Sequence, residues 1–384
     1  MKSMIYTSEY IFDENSAEIS LLGLYHRIDK EFGKYSYLIF ALHPDLDIEK
    51  VAKSIYKIFK TENFIIFHAI EHFNYENVVE NSLSVCCLQT EKEATIEHFY
   101  LKELCQKDEI DKAVDYFNNN SHKFHLIFAG LSDGKIGSVI EDISNQLTYS
   151  PINNIVGGVS SGILKENKVQ AFQYVDYQLI ENGFVVLSFG NVEAFIDIAL
   201  GFQAYGITYK IAKAEGNRLY TVDDGKSFPY IAKKMLNAQN ADLNVQNLWY
   251  CPLNILDEEN GYTLTLRTVS DIKKHYVEFF APVKKGDYFK LSFATSDDLI
   301  LADKKVAEEL IKKMPNPEIS FNFSCIARQY VLENKQESEL KAYTEKFQTN
   351  LFGFFTFGEI GPDKMYKKLK FYNETSLAVV MREK

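Results

Sequence analysis

His68-Ala69-Ile70-Glu71-His72 spells H-x-x-E-H, the order in which inverted zinc peptidases carry two imidazole ligands and a general base. That chemistry needs a helix, where residues four apart share a face and both rings can reach one metal. The segment instead continues Asn63-Phe64-Ile65-Ile66-Phe67, a strand by composition. On a strand, positions four apart are separated by ~13 Å, which one zinc ion cannot bridge, so the peptidase reading is set aside.

Gly158-Val159-Ser160-Ser161-Gly162 fits the nucleophile elbow G-x-S-x-G, which requires a strand before the serine and a helix after it. Too few residues separate Gly162 from the next extended run for a helix, so the expectation is a glycine-rich turn beside a ligand or a close backbone contact. Gly130-Leu131-Ser132-Asp133-Gly134-Lys135-Ile136 is one residue short of a phosphate loop, with Ile136 where Ser or Thr would hold magnesium. The helix start there could still attract an anion through its free N–H groups. His122 and His125 lack partners at ligand spacing and read as satisfied histidines.

The last 70 residues carry more. Ser320-Phe321-Asn322-Phe323-Ser324-Cys325-Ile326-Ala327-Arg328 is followed by an acidic helix from Glu337 and then by Gly353-Phe354-Phe355-Thr356-Phe357-Gly358-Glu359-Ile360-Gly361-Pro362. Two strands joined through a helix, if paired, bring Cys325 and Arg328 near Gly358 and Glu359. An arginine beside a thiol lowers its pKa, and its fork matches a carboxylate. Gly358 and Gly361 would let a small molecule approach the backbone. Equally, Glu359 could pair with Arg328, Cys325 could be core and the glycines could shape turns. Residue types leave both open.

The elements that must position these residues alternate along the chain. Helical stripes cover 16–32 and 47–59, the second with Asp45 or Asp47 as its cap, and strands cover 35–42 and 63–73. Extended runs at 83–88 and 94–100 precede a helix over 109–118, a strand over 124–129 and a helix over 136–147, a second pass of the same kind. Runs at 169–177 and 184–190 flank Glu181-Asn182-Gly183, a turn signal predicting a hairpin. After strands at 205–212 and 219–222 come a helix over 230–236, strands at 263–269, 276–280 and 288–293, and a helix over 302–312. A strand over 319–332, a helix over 338–347 and strands at 353–357 and 377–381 follow. The plan is α+β, with hairpin-paired strands in mixed sheets covered by helices. Two domains are expected, 1–217 and 218–384, divided at the polar turn Gly216-Asn217.

Composition narrows the function. In 384 residues, 42 Lys and Arg stand against 53 Asp and Glu, for a net charge of −11 with no basic block, which disfavours nucleic acid and an anionic membrane surface. The start of the chain has no apolar stretch of signal-peptide length, and no run approaches the ~20 residues that span a bilayer, so a cytoplasmic protein without membrane insertion is expected. The five cysteines include no Cys-x-x-Cys pair, against a disulfide framework or zinc ribbon.

At its C-terminal motifs the chain resembles the FIST family of intracellular signal transduction proteins. The resemblance lies in Phe323-Ser324-Cys325-Ile326-Ala327-Arg328, the acidic helix, Gly353 to Gly361 and Asn373-Glu374-Thr375. Further upstream, Ile155-Val156-Gly157-Gly158 resembles that family's glycine pair, and Leu219-Tyr220-Thr221-Val222-Asp223-Asp224-Gly225-Lys226 its inter-domain segment. Where members carry a small Gly- and Ser-rich turn, this chain has His68 to His72. The resemblance implies FIST N-terminal-like and C-terminal-like domains forming a sensory module that binds an amino acid or similar metabolite and signals through a separate output protein. Its ligand would lie near Cys325, Arg328, Gly358, Glu359, Gly361, Gly157 and Gly158, and Arg328→Ala is expected to abolish binding with the fold intact. Some members are heme-binding gas sensors, which makes a non-covalent heme near His68 or His72 the alternative; an enzyme with Cys325 as nucleophile is a third reading.

Overall fold

The computed structural model describes residues 1–8, 14–165, 168–235, 244–258, 261–363 and 365–384. Its order of elements repeats three times. The first unit runs strand Lys2–Ser8, helix Glu14–Glu31, strand Tyr37–Leu42, helix Ile48–Phe59, strand Phe64–His68, hairpin Glu71–Asn74/Asn77–Glu80 and strand Leu83–Gln89. The second repeats it as Thr95–Leu101, Lys107–Asn119, Phe124–Ala129, Ile136–Gln146, Ile155–Val159, Gln173–Val175/Gln178–Ile180 and Phe184–Gly190. The third is Val192–Ala199, Ser296–Lys313, Ile319–Cys325, Gln336–Phe347, Leu351–Thr356, Glu359–Asp363/Lys368–Tyr372 and Ser376–Glu383.

Each unit builds a mixed sheet in the same strand order: first, last, second, third. The second and third strands are parallel, with a helix between them, and the others antiparallel. Each unit's hairpin leaves its own sheet and extends a neighbour's. The first unit's hairpin joins the third sheet (His72 opposite Phe354), the second's joins the first sheet (Gln173 opposite Phe67) and the third's joins the second sheet (Glu359 opposite Gly158). The exchange is cyclic, so every sheet is completed by a strand from elsewhere in the chain.

Alternation along the strands explains why the three sheets associate. On strand Tyr37–Leu42, Tyr37, Ile39 and Ala41 enter one apolar cluster shared by all three sheets, while Leu38, Phe40 and Leu42 pack under that unit's own helices. Successive side chains point to opposite faces, so a strand buried on both faces reads as an unbroken apolar run. Phe67, Phe128, Phe323 and Phe354 bring the three units into ring contact, with Phe67 and Phe128 stacked at 4.7 Å.

Within the third unit, seven strands between Gln203 and Phe293 form an inserted antiparallel sheet with its own core, which includes Phe228, Leu253, Phe279 and Phe289. Gly216 and Asn217 form the turn between its strands Gln203–Glu215 and Arg218–Val222.

Several expected elements are revised. The run 63–73 breaks after His68, because Phe64–His68 and Glu71–Asn74 belong to different sheets. The run 169–177 does not form a hairpin with 184–190. Gln173–Val175 instead turns back onto Gln178–Ile180, and Phe184–Gly190 lies between Thr95–Leu101 and Phe124–Ala129. The strand expected to reach Leu332 stops at Cys325 and gives way to a short helix, Arg328–Leu332. The helix over 230–236 is Phe228–Met235, and Leu236 lies outside the described residues.

Candidate functional site

Strands Ile319–Cys325 and Leu351–Thr356 run parallel with Cys325 beside Thr356, and the turn that follows Cys325 carries Arg328 inward. Its guanidinium is wholly buried. Nη2 lies 2.8 Å from Asp303 Oδ2 and 3.2 Å from Glu339 Oε1, each carboxylate on one of the third unit's two outer helices. Ser324 Oγ donates to Glu339 Oε1 at 2.7 Å, and Tyr343 OH donates to Asp303 Oδ1 at 2.9 Å. Arg328 Nε and Nη1, and Glu339 Oε2, find no hydrogen-bond partner among the described residues.

Glu359 does not pair with Arg328. It accepts from the Thr356 hydroxyl and from Thr375 through Oγ1 at 2.6 Å and N at 3.2 Å. Glu374, at a left-handed φ of 59°, accepts from Thr268 Oγ1 of the inserted sheet at 2.9 Å and leaves Oε2 unpartnered. One arginine thus stands in the field of four buried carboxylates, Asp303, Glu339, Glu359 and Glu374. Burial favours the neutral acid and pushes Glu359 and Glu374 each up to about 8. Burial likewise raises Asp303 against the pull of Arg328. For Arg328 burial opposes the charge, but Asp303 and Glu339 outweigh it and hold the guanidinium cationic.

The glycines pack rather than open. Gly158 faces Glu359 across the strand pair, and a Cβ there would lie 2.5 Å from the Thr356 methyl. At Gly157 it would meet the Ile127 carbonyl oxygen at 2.0 Å, and at Gly361 a Leu377 methyl at 2.3 Å. Gly358, with φ +149°, lies against the Phe371 ring. The structure therefore gathers Gly157, Gly158, Gly358, Glu359, Cys325 and Arg328 around one junction of sheets, with Gly361 farther along the Glu359–Asp363 strand. Of the two roles left open for Cys325, the environment disfavours an activated thiol: burial first, then Glu359 and Glu374, push its pKa well above the usual thiol value. A thiol that stays protonated is a poor nucleophile.

A cleft of about 370 Å³ opens beside this junction, lined by Trp249, Ile326, Ala327, Gln329, Tyr330 and Phe357. Trp249, the chain's single tryptophan, ends a short helix, Val245–Trp249, that connects strands of the inserted sheet, and meets Tyr330 edge-on at 4.6 Å. Four of the lining residues, Ile326, Ala327, Gln329 and Tyr330, flank Arg328 in the chain, so the buried charge cluster lies next to the cleft wall.

Several of these residues eluded the sequence reading. Asp303 and Glu339 sit on helices rich in surface charge, where an acidic residue reads as solvated. Their signal was positional: Leu299, Asp303, Val306 and Leu310 form one helical stripe, as do Glu339, Tyr343 and Phe347. The helix Ser296–Lys313 also starts earlier than expected, from a Thr295/Asp298 capping box that the sequence displays.

The other motifs dissolve into structure. His68 and His72 are buried in separate sheets; His68 accepts from Phe172 N through Nδ1, and His72 Nε2 bonds Ser82 at 2.9 Å. Neither ring lines the cleft beside Trp249. Ser161 accepts from Ile70 N and Ser160 from Gln173, and a two-stranded hairpin, not a helix, follows Gly162. Among the described residues no group of three or more His, Cys, Asp or Glu is placed to hold a metal ion, and no helix is long and apolar enough to cross a membrane.

Comparison with known proteins bears on this arrangement. Residues 37–225 match the FIST N domain and residues 231–362 the FIST C domain. The chain belongs to the FIST family. FIST domains are in general sensor domains of signal transduction. An uncharacterised protein of Aquifex aeolicus is 26% identical over 270 residues, 68% of this FIST chain and 97% of that protein. Cyanuric acid hydrolase from A. caulinodans aligns over 100% of this chain and 99% of its own at 6% identity and a TM-score of 0.34, too slight a likeness to bear on fold or chemistry.

Proposed function

We propose that this FIST protein is a cytoplasmic small-molecule sensor whose ligand is an amino acid or a similar metabolite, and that it signals through a separate output protein. The observation that carries this reading is the cleft between Trp249 and Tyr330, set on the Arg328 turn. Aromatic walls around a few polar groups are what a small-ligand site offers. Arg328 lies between the lining residues Ala327 and Gln329, but its guanidinium is wholly buried and does not line the cleft, so it supports the cleft through the turn that carries it. Because a helix of the inserted segment supplies Trp249 and the turn after strand Ile319–Cys325 leads to Tyr330, a ligand held between them would couple the two, which is how binding could be passed on.

The single tryptophan makes the test specific. Amino acids and small carboxylate metabolites are titrated while Trp249 emission and thermal stability are followed. A saturable change in emission with a matching rise in Tm, both lost in Tyr330→Ala, is the expected result. If no compound in either class moves emission or Tm, the reading is wrong.

A further inference from the structure

A second cleft, of about 170 Å³, lies between the inserted sheet, the helix Ile136–Gln146 and the hairpin strand Lys368–Tyr372. Four cations border it, Arg267, Lys284, Lys368 and Lys370, against two carboxylates, Glu141 and Asp287. That excess of positive charge stands out in a chain of net charge −11. The carboxylates are already engaged. Glu141 pairs with Lys284, and Asp287 Oδ2 accepts from Lys284 N at 2.9 Å. Lys370 pairs with Asp363, whereas the Lys368 ammonium, among the described residues, bonds only the neutral amide oxygen of Asn145, at 2.9 Å.

Arg267 is the centre of the imbalance. Arg218, Arg328 and Arg382 each hold a carboxylate. Arg267 holds none: Nε donates to Pro282 O at 2.9 Å, and Nη1 to Thr265 Oγ1 at 2.7 Å, Leu266 O at 3.0 Å and Phe371 O at 3.2 Å. All four acceptors are neutral. They clamp the guanidinium plane in one orientation, and Nη2 makes no hydrogen bond among the described residues. A charge taken out of water and fixed beside neutral dipoles is only partly compensated. Consistently, burial lowers its pKa to about 10 against the longer-range pull of Asp287 and Glu141, neither of which it bonds.

We propose that this cleft is a binding site for a small oxyanion, a phosphate or carboxylate group received by Arg267 Nη2 and Lys368 Nζ. A pre-oriented guanidinium with a flexible ammonium beside it is the donor set that planar or tetrahedral oxyanions take up. Bound there, the anion ties the inserted sheet to the hairpin of the third unit and the helix of the second, and so stabilises their docking. The site shares no residue with the Trp249 cleft and stands or falls separately.

The test is calorimetric titration of the full chain with inorganic phosphate and, separately, malonate, with ionic strength held by sodium chloride. Saturable binding of either anion is expected, and which one binds more tightly assigns the source as phosphate or carboxylate. Lys368 is exposed, so Lys368→Gln keeps the fold and should weaken binding about tenfold, one charge-assisted contact's worth. Arg267→Gln should abolish binding. Arg267 also bonds four backbone and side-chain acceptors, so Lys368→Gln remains the deciding variant if Arg267→Gln does not fold. Absence of saturable binding by both anions, or binding unchanged in Lys368→Gln, overturns the proposal.

Discussion

Gly158 stands directly opposite Glu359, in the antiparallel pair through which the third unit's hairpin completes the second unit's sheet. The space that a side chain at 158 would fill is taken by Thr356, whose hydroxyl donates to Glu359. Glycine, threonine and glutamate are thus one packing unit drawn from two repeats.

Substitution at this unit follows from the geometry. In Gly158→Ala the new methyl falls 2.5 Å from a β-branched side chain that has little freedom to move. Overpacking of this kind costs about 1–3 kcal/mol, to be read as a fall in the urea midpoint. Gly157→Ala meets a backbone oxygen at 2.0 Å and should cost more. Equal stability of Gly158→Ala and the parent would refute this packing.

Burial of Arg328 alters what its removal should do. Arg328→Met leaves Asp303 and Glu339 buried without their cationic partner, and breaking such a cluster costs about 3–5 kcal/mol. The variant should therefore unfold early and cannot serve as a clean test of binding, contrary to the expectation for Arg328→Ala from sequence. Glu339→Gln removes one surplus negative charge while keeping an acceptor for Ser324 and Arg328, and should cost only about 1 kcal/mol. Urea denaturation of both variants checks the order, and the reverse order would show that Arg328 does not organise the cluster.

Stability should depend on pH in a stated sense. Burial raises Glu359 and Glu374 to about 8, against ~4.3 for a carboxyl in the unfolded chain. Between those values the folded state binds more protons, so the stability from these groups is lost as pH rises through that window. Burial lowers His68, His72 and His125 to about 4, 3 and 4, and their contribution is lost in the other direction, as pH falls below ~6.5. The two sets oppose each other at acid pH, whereas above ~6.5 the carboxylates act alone. Unfolding free energy should then decline by about 1.4 kcal/mol per pH unit per carboxylate up to about 8. Burial raises Asp303 in the same sense, so Glu359→Gln should remove one carboxylate's share of that slope, and an unchanged slope would count against the assignment.

Thiol labelling orders the cysteines. Cys105 is exposed and Cys251 half-buried, while Cys86, Cys87 and Cys325 are buried. Burial pushes the Cys86 and Cys325 thiols well above the usual value and raises Cys87 too. Mass-resolved alkylation at neutral pH should modify Cys105 first and Cys325 only on unfolding. Rapid labelling of Cys325 in the folded protein would restore it as a nucleophile.

Local order was legible in the chain because periodicity and capping act over a few residues. The helix Ile48–Phe59 starts from the Asp47 cap, which accepts from Glu49 N and Lys50 N. The strands 124–129 and 288–293 fall where their apolar runs placed them, and the motif from Phe323 to Arg328 marked the family. Cys325 could be set near the Gly358-Glu359 turn because one helical connection between parallel strands leaves few alternatives.

Partnership was not legible, for a physical reason. Which sheet a hairpin completes depends on contacts between residues hundreds apart, such as Gly158 with Glu359 or His72 with Phe354, and local pattern carries no record of them. The same holds for charge. An aspartate among lysines on a helix reads as solvated until packing turns Asp303 inward to meet Arg328. Composition and motif settle the class of fold and the family, because both are written in residue type and spacing. The cyclic exchange of hairpins, the identity of the arginine's partners and the burial that holds Cys325 protonated arise only when distant segments share one interior, where low dielectric and close packing set each group's energy.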